Sequence, residues 1–250
     1  MAVMDEFREE RALIKQGTRK QKYQYFKDYY FWPLLLTTIA VVFVVALCYQ
    51  IIAGKTTGFY AGMLNASGYQ DNQWFTDEFV EMAQIPTKKQ TVYMDSGMYF
   101  EYGSSDEETM VTVQKMNTRV GAGQMDVLMG TKDAFSYYAN SGMLADLREM
   151  LTEEQVARYK DSFYYVDQAY ADEREAMFRA GKDTSTLPIP NPKDPAAMKE
   201  PIPVAIYVES SERLNKAYYF RDSEDGIAVG ILANTSHPDY ALCFIDYLMN

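Results

Sequence analysis

The chain is poor in the residues that carry most protein chemistry. Its 250 residues include one histidine and two cysteines. His237 has no serine or cysteine at a motif spacing, so nothing supports a Ser–His or Cys–His catalytic pair. No zinc-type ligand spacing exists, and no pattern calls for a metal or cofactor. Cys48 lies in an apolar run and Cys243 in a distant helical pattern, so an intrachain disulfide is not expected. Positive charge is scarce as well: 24 Lys and Arg stand against 35 Asp and Glu, a net charge of −11. A nucleic-acid partner, which needs a clustered basic surface, is thereby excluded. The acid surplus otherwise speaks only for solubility.

One stretch lacks charge altogether. Residues 31–54 read FWPLLLTTIAVVFVVALCYQIIAG, long enough to cross a hydrocarbon core, which needs roughly 20 apolar residues. Pro33 falls in the first turn, where a missing N–H costs least. Tyr29, Tyr30 and Trp32 mark one interface and Tyr49 the other. Lys15, Arg19, Lys20, Lys22 and Lys27 crowd the N-terminal flank, and Lys55 alone lies close on the other side. The positive-inside rule then places residues 1–28 in the cytoplasm and 55–250 outside the cell membrane. Residues 5–16 predict a short helix, and 22–31 interleave Lys with Tyr and Phe as a bilayer-surface segment does. The expected organisation is a cytoplasmic tail (1–28), a single transmembrane helix (29–54) and an extracellular domain (55–250).

In the exported part, signals of period 2 and period 3.6 alternate, which predicts an α/β layered domain. Residues 77–84 read as a helix and 91–95 as a strand. Ser105 with Glu108 has capping-box spacing and opens a helix with Met110, Val113, Met116 and Val120 on one face. Residues 125–129 form a short apolar run between Gly123 and Gly130, suited to a strand buried on both faces. Gly130 and Thr131 make the following turn, Thr131 caps a helix to about residue 141, and Gly142 ends it. That turn stands at the carboxyl end of a strand, where open α/β sheets place ligands. Thr152 with Gln155 marks another helix start. Residues 202–208 and 227–232 read as strands, and Ser236 with Asp239, around Pro238, opens the last helix. Pro188, Pro190, Pro192 and Pro195 impose an extended surface loop. Phe163, Tyr164, Tyr165, Tyr170 and Phe178 read as core or packing aromatics. Asn65-Ala66-Ser67 and Asn234-Thr235-Ser236 match glycosylation acceptor tripeptides.

Several of these pieces follow one another as they do in a known family. Gly121-Ala122-Gly123, Asp126-Val127-Leu128, Asp133-Ala134-Phe135 and the run Tyr138-Ala139-Asn140-Ser141-Gly142-Met143-Leu144-Ala145-Asp146 come in order. Pro201-Ile202-Pro203-Val204, then Gly226-Ile227-Ala228-Val229-Gly230-Ile231, then the last helix, follow. Residues 111–208 resemble the first lobe of extracellular solute-binding proteins of ABC importers, of the maltose-binding type. The resemblance implies a periplasmic-binding-protein-like (type II) α/β fold, as a single lobe or a strongly reduced two-lobe domain, preceded by one transmembrane helix. It implies capture of a small solute or peptide, with an importer permease as partner. Two departures stand out. Where the family builds a second lobe, this chain has only residues 209–225. Where its sugar binders carry an aromatic and an acid, this chain has Gly130 and Ala205. The candidate ligand-binding residues are Thr131 and Asp133 at the turn, with Tyr207 and Glu209 at the shortened hinge. Asp133 fits equally an acid favoured by a helix N-terminus. The other open reading is a non-catalytic interaction module, an accessory subunit of a membrane complex that has lost ligand binding. An exported hydrolase has no supporting constellation.

Overall fold

The computed structural model describes residues 17–250 apart from Ser185 and Glu209. The helix expected over residues 5–16 lies outside them. The chain divides between Gly54 and Lys55 into two units.

From Arg19 to Ala53 the first unit is helical: α1 (Arg19–Tyr25), a π-helical turn (Phe26–Tyr30) and α2 (Phe31–Ala53). Two threonines within α2 hide their polarity by bonding back to the preceding turn. Thr37 donates to the Pro33 carbonyl at 2.9 Å and Thr38 to that of Leu34 at 2.8 Å. Apolar side chains project on every side, with Leu36, Val42, Phe43 and Val45 each more than 60% exposed. Among the described residues this is the one helix long and apolar enough to cross a membrane.

The second unit is a mixed α/β domain. Its strands are β1 (Thr56–Leu64), β2 (Ala66–Gly68), β3 (Gln90–Met98), β4 (Val127–Thr131), β5 (Phe163–Asp167), β6 (Pro201–Tyr207), β7 (Tyr218–Phe220) and β8 (Ile227–Ile231). Six of them form one sheet in the order β3-β1-β4-β8-β6-β5, and β2 pairs with β7 in a separate ribbon. β3, β1 and β4 run parallel; β8 enters antiparallel between β4 and β6, and β5 returns antiparallel on β6. The helices are α3 (Gln73–Met82), α4 (Glu107–Gly121), α5 (Lys132–Ala139), α6 (Leu147–Met150), α7 (Glu153–Tyr159), α8 (Gln168–Arg179), α9 (Glu212–Ala217) and α10 (Pro238–Met249).

Strand alternation sorts the core onto two faces. Phe59, Ala61 and Met63 of β1 join Val127 and Met129 of β4 beneath α3 and α10, where Phe75, Phe79, Phe244 and Tyr247 pack. Tyr60, Leu64 and Leu128 face the other way, onto Met116 of α4 and Phe135 and Tyr138 of α5. The Phe59, Phe75 and Phe79 rings lie 5.1, 6.2 and 5.0 Å from that of Phe244. These spacings fit edge and tilted aromatic contact.

Several elements differ from the sequence reading. β4 covers Val127–Thr131, two residues later than expected. The Asp126 carboxylate, not its carbonyl, takes the Tyr60 N–H at 2.9 Å, so the regular ladder starts one residue on. β4 reaches Thr131 because Ile227 of β8 pairs there. Thr131 stands at the N-cap of α5 without a side-chain capping bond. Asp106, not Ser105, caps α4, its carboxylate accepting the Thr109 N–H at 2.7 Å. Met110 on that helix is exposed, whereas Met116 is buried. His237, not Ser236, precedes α10. Thr152 and Gln155 form the expected capping box. Pro201 and Pro203 belong to β6 rather than to the loop before it. They pair with β5 alone, and β8 joins β6 only from Ala205 on, so their missing donors break no inner ladder. β1, β5 and α8 are additional elements.

Candidate functional site

The carboxyl ends of β1, β4 and β6 lie at one edge of the sheet. The organiser is Asn65, directly after β1, in the left-handed conformation (φ 56°) that asparagine tolerates better than most residues. Its side-chain amide donates to the Phe100 carbonyl at 2.9 Å, and its oxygen accepts the Phe100 N–H at 2.8 Å. Its own carbonyl accepts the Arg221 N–H at 2.9 Å. One residue therefore fixes the loop after β3 and the segment after β7 against the sheet. The same bonds occupy the amide that would accept a glycan.

Residues 210–225, the short piece in place of a second lobe, form α9, β7 and a turn. Ser211 caps α9 by accepting from Leu214 N–H, and Leu214 and Ala217 anchor it in the core. β7 then pairs with β2, with Ala66 opposite Phe220 and Gly68 opposite Tyr218. Arg221 and Asp222, directly after β7, face the same cleft as Thr131 at the end of β4.

A cleft of about 530 Å³ results. Tyr99 and Tyr102 come from the loop after β3, Thr131 from the end of β4, Asp133 and Tyr137 from α5, and Tyr170 and Arg174 from α8. Leu187 and Ile189 of the proline-rich loop and Arg221 and Asp222 of the short piece complete it. Its aromatic wall is continuous: Phe100 lies 5.1 Å from Tyr137, and Tyr102 lies 5.7 Å from Tyr137. Arg174 sits 5.4 Å over the Tyr137 ring and Arg221 5.1 Å over that of Tyr99. The Tyr99 hydroxyl donates to Glu101 at 2.9 Å, and this bond to an anion raises the Tyr99 pKa. Burial raises that of Tyr170. Both phenols remain neutral donors at physiological pH.

α8 owes its position to Asp167. This buried carboxylate accepts the Ala169 N–H at 3.1 Å and the Lys199 and Glu200 N–H groups at 3.0 Å each. It ties the helix that carries Tyr170 and Arg174 to the segment entering β6.

The four candidate residues do not converge. Thr131 and Asp133 line the cleft, Thr131 buried and Asp133 exposed. Tyr207 is buried and opens onto a different cavity of about 510 Å³ with Lys160 and Lys193, whose ammonium lies 4.3 Å over the Tyr207 ring. The Tyr207 ring shares the core face of Phe135 and Tyr138 and lies 5.5 Å from that of Tyr164 on β5, but β8 stands between β6 and β4 and keeps it from the cleft. Glu209 lies outside the described residues. Tyr99, Tyr102, Tyr137, Arg174 and Arg221 were missed, since they come from four separate elements with no shared spacing. Gly130 has its own explanation: a Cβ there would lie 3.0 Å from Leu64 Cβ, so the crossing of β4 and β1 leaves no room for an aromatic.

No protein-family model matches the chain, and no curated protein or solved structure matches it significantly.

Proposed function

We propose that the chain is a membrane-anchored binding protein whose exported domain captures a small solute or peptide for an importer, without catalysing a reaction. The observation that carries this reading is the open, tyrosine-lined cleft at the carboxyl end of β4. Clefts of roughly 300–1,000 Å³ at such sheet edges are the usual size and place for small-molecule sites. Thr131 from the turn after β4 and Asp133 from the resembling motif stand in it.

The strand order supports the finer fold reading, a reduced type II periplasmic-binding-protein-like lobe. A chain that leaves β6 for a second lobe and returns at the same end must run back antiparallel. β8 does so, directly beside β6. The anchor reading rests on α2, whose charge-free span is flanked by basic residues on its N-terminal side, which favours an external C-terminal domain.

A thermal-shift screen of the full chain in nanodiscs, with sugars, amino acids and short peptides at millimolar levels, tests solute capture. A rise in Tm with any class supports it; no shift with any removes it. The shortness of residues 209–225 favours one second reading, an accessory module of a membrane complex. Crosslinking in cells that recovers a membrane subunit, with no solute response, would select that reading.

A further inference from the structure

We infer that the cleft recognises an anionic group, a carboxylate or a phosphate, carried on a planar or apolar body. This rests on the binding reading above and adds the chemistry of the ligand.

The inference comes from what the cleft's two arginines do and leave undone. The folded unit has seven arginines. Arg148, Arg158, Arg179 and Arg213 pair with Asp146, Glu154, Glu175 and Glu78, and Arg119 donates to the Gln124 side chain at 3.0 Å. Arg174 and Arg221 are the two without a side-chain hydrogen-bond or ion-pair partner among the described residues. Arg174 gives one bond, at 3.3 Å, to the Asn140 carbonyl. The Arg221 side chain gives none, and only its main-chain N–H is bonded. A guanidinium carries five donors, so most of the fork on each is unused.

Their own cleft offers three carboxylates, Glu101, Asp133 and Asp222, yet neither arginine pairs with any of them. Glu101 instead takes the Tyr99 hydroxyl. Both guanidinium groups lie over tyrosine rings, a contact that holds the cation without using its N–H donors. Such a fork suits bidentate bonding to a carboxylate or phosphate. Tyr102, Tyr170 and Ile189 supply the flat and apolar walls for the rest of the ligand.

The test is calorimetric titration of the full chain in nanodiscs with three matched pairs. These are galacturonate against galactose, 4-hydroxyphenylacetate against its amide, and glucose 6-phosphate against glucose. At least one anionic member should bind about tenfold or more tightly than its neutral twin, as charge-assisted bonds would give. The first two pairs report a carboxylate and the third a phosphate. In the Arg174→Gln/Arg221→Gln variant that preference should fall below about threefold, whereas Arg174→Lys/Arg221→Lys should retain part of it. Should the Gln variant fail to fold, salt titration of the wild-type chain serves instead. Affinity for the anionic member should then fall with salt while that for the neutral twin holds. Equal binding of the twins, or a preference that survives the Gln substitutions, overturns the anion inference and leaves the binding reading standing. No binding by either member of any pair overturns the anion inference too, and the binding reading then falls if the thermal-shift screen is also negative.

Discussion

Replacing Asp167 with alanine should unseat α8 and with it one wall of the cleft. The carboxylate caps the helix through Ala169 N–H and holds Lys199 and Glu200 N–H groups from the far side of the proline-rich loop. Loss of the cap costs about 1 kcal/mol. Each of the other two bonds, to a charged acceptor, is worth about 1.5 kcal/mol. The total near 4 kcal/mol, at about 2–4 °C per kcal/mol for a unit of this size, lowers Tm by roughly 10 °C. The loss has a pH signature. Burial raises the Asp167 pKa, but the bonds from Lys199, Glu200 and Ala169 outweigh it and hold the carboxyl below its usual range. A depressed carboxyl stabilises above its unfolded value, about 4, and that contribution vanishes as pH falls through the folded value. Scanning calorimetry of wild type and variant should therefore show the full gap at pH 7 and 5 and a closing gap below pH 4. Asp167→Asn, keeping one acceptor oxygen, should fall between them. A Tm change under about 2 °C, or a gap that stays constant into acid, would refute the reasoning.

Other consequences can be checked independently. Phe244→Ala removes the ring at the centre of the Phe59, Phe75 and Phe79 cluster and should cost about 3–5 kcal/mol by chemical denaturation. Asp95 receives bonds from Lys115 and Tyr60; burial raises its pKa, but those bonds outweigh it and the net shift is down. Asp95→Asn should thus lower Tm at pH 7 and lose its effect as pH falls through the depressed folded pKa, since such carboxyls contribute only above it. Val42→Asp, at the middle of α2, should cost about 2.5–3.5 kcal/mol of insertion free energy. Alkaline extraction of membranes should then release a larger share of the chain than in the wild type.

Element types were largely legible, because α2 and α10 carry strong hydrophobic patterns and the apolar run 125–129 sits between Gly123 and Gly130. Boundaries were less so. At the start of β4 the Asp126 side chain takes the Tyr60 N–H in place of a main-chain acceptor. At its end Ile227 of β8 extends the pairing to Thr131; no period records either. β5 was hidden because Phe163, Tyr164 and Tyr165 are aromatic on both faces and show no alternation. Of the cleft, Thr131 and Asp133 were visible through their place at a strand end. The tyrosines and arginines were not, since Tyr99, Tyr137, Arg174 and Arg221 meet only after the sheet has brought four elements to one edge. Tyr207 shares the core face of Phe135, but β8 enters between β4 and β6, so nearness in sequence to the hinge does not mean nearness to the cleft.

Hydrogen–deuterium exchange on the full chain in nanodiscs, with and without the tightest ligand from the paired titrations, tests the central claim most directly. The account predicts slowed exchange together in residues 99–102, 131–140, 170–174 and 221–222, with the distant α3 and α10 unchanged. Protection confined to other surfaces, or none at a ligand concentration that saturates binding, would contradict a binding cleft at the carboxyl end of β4.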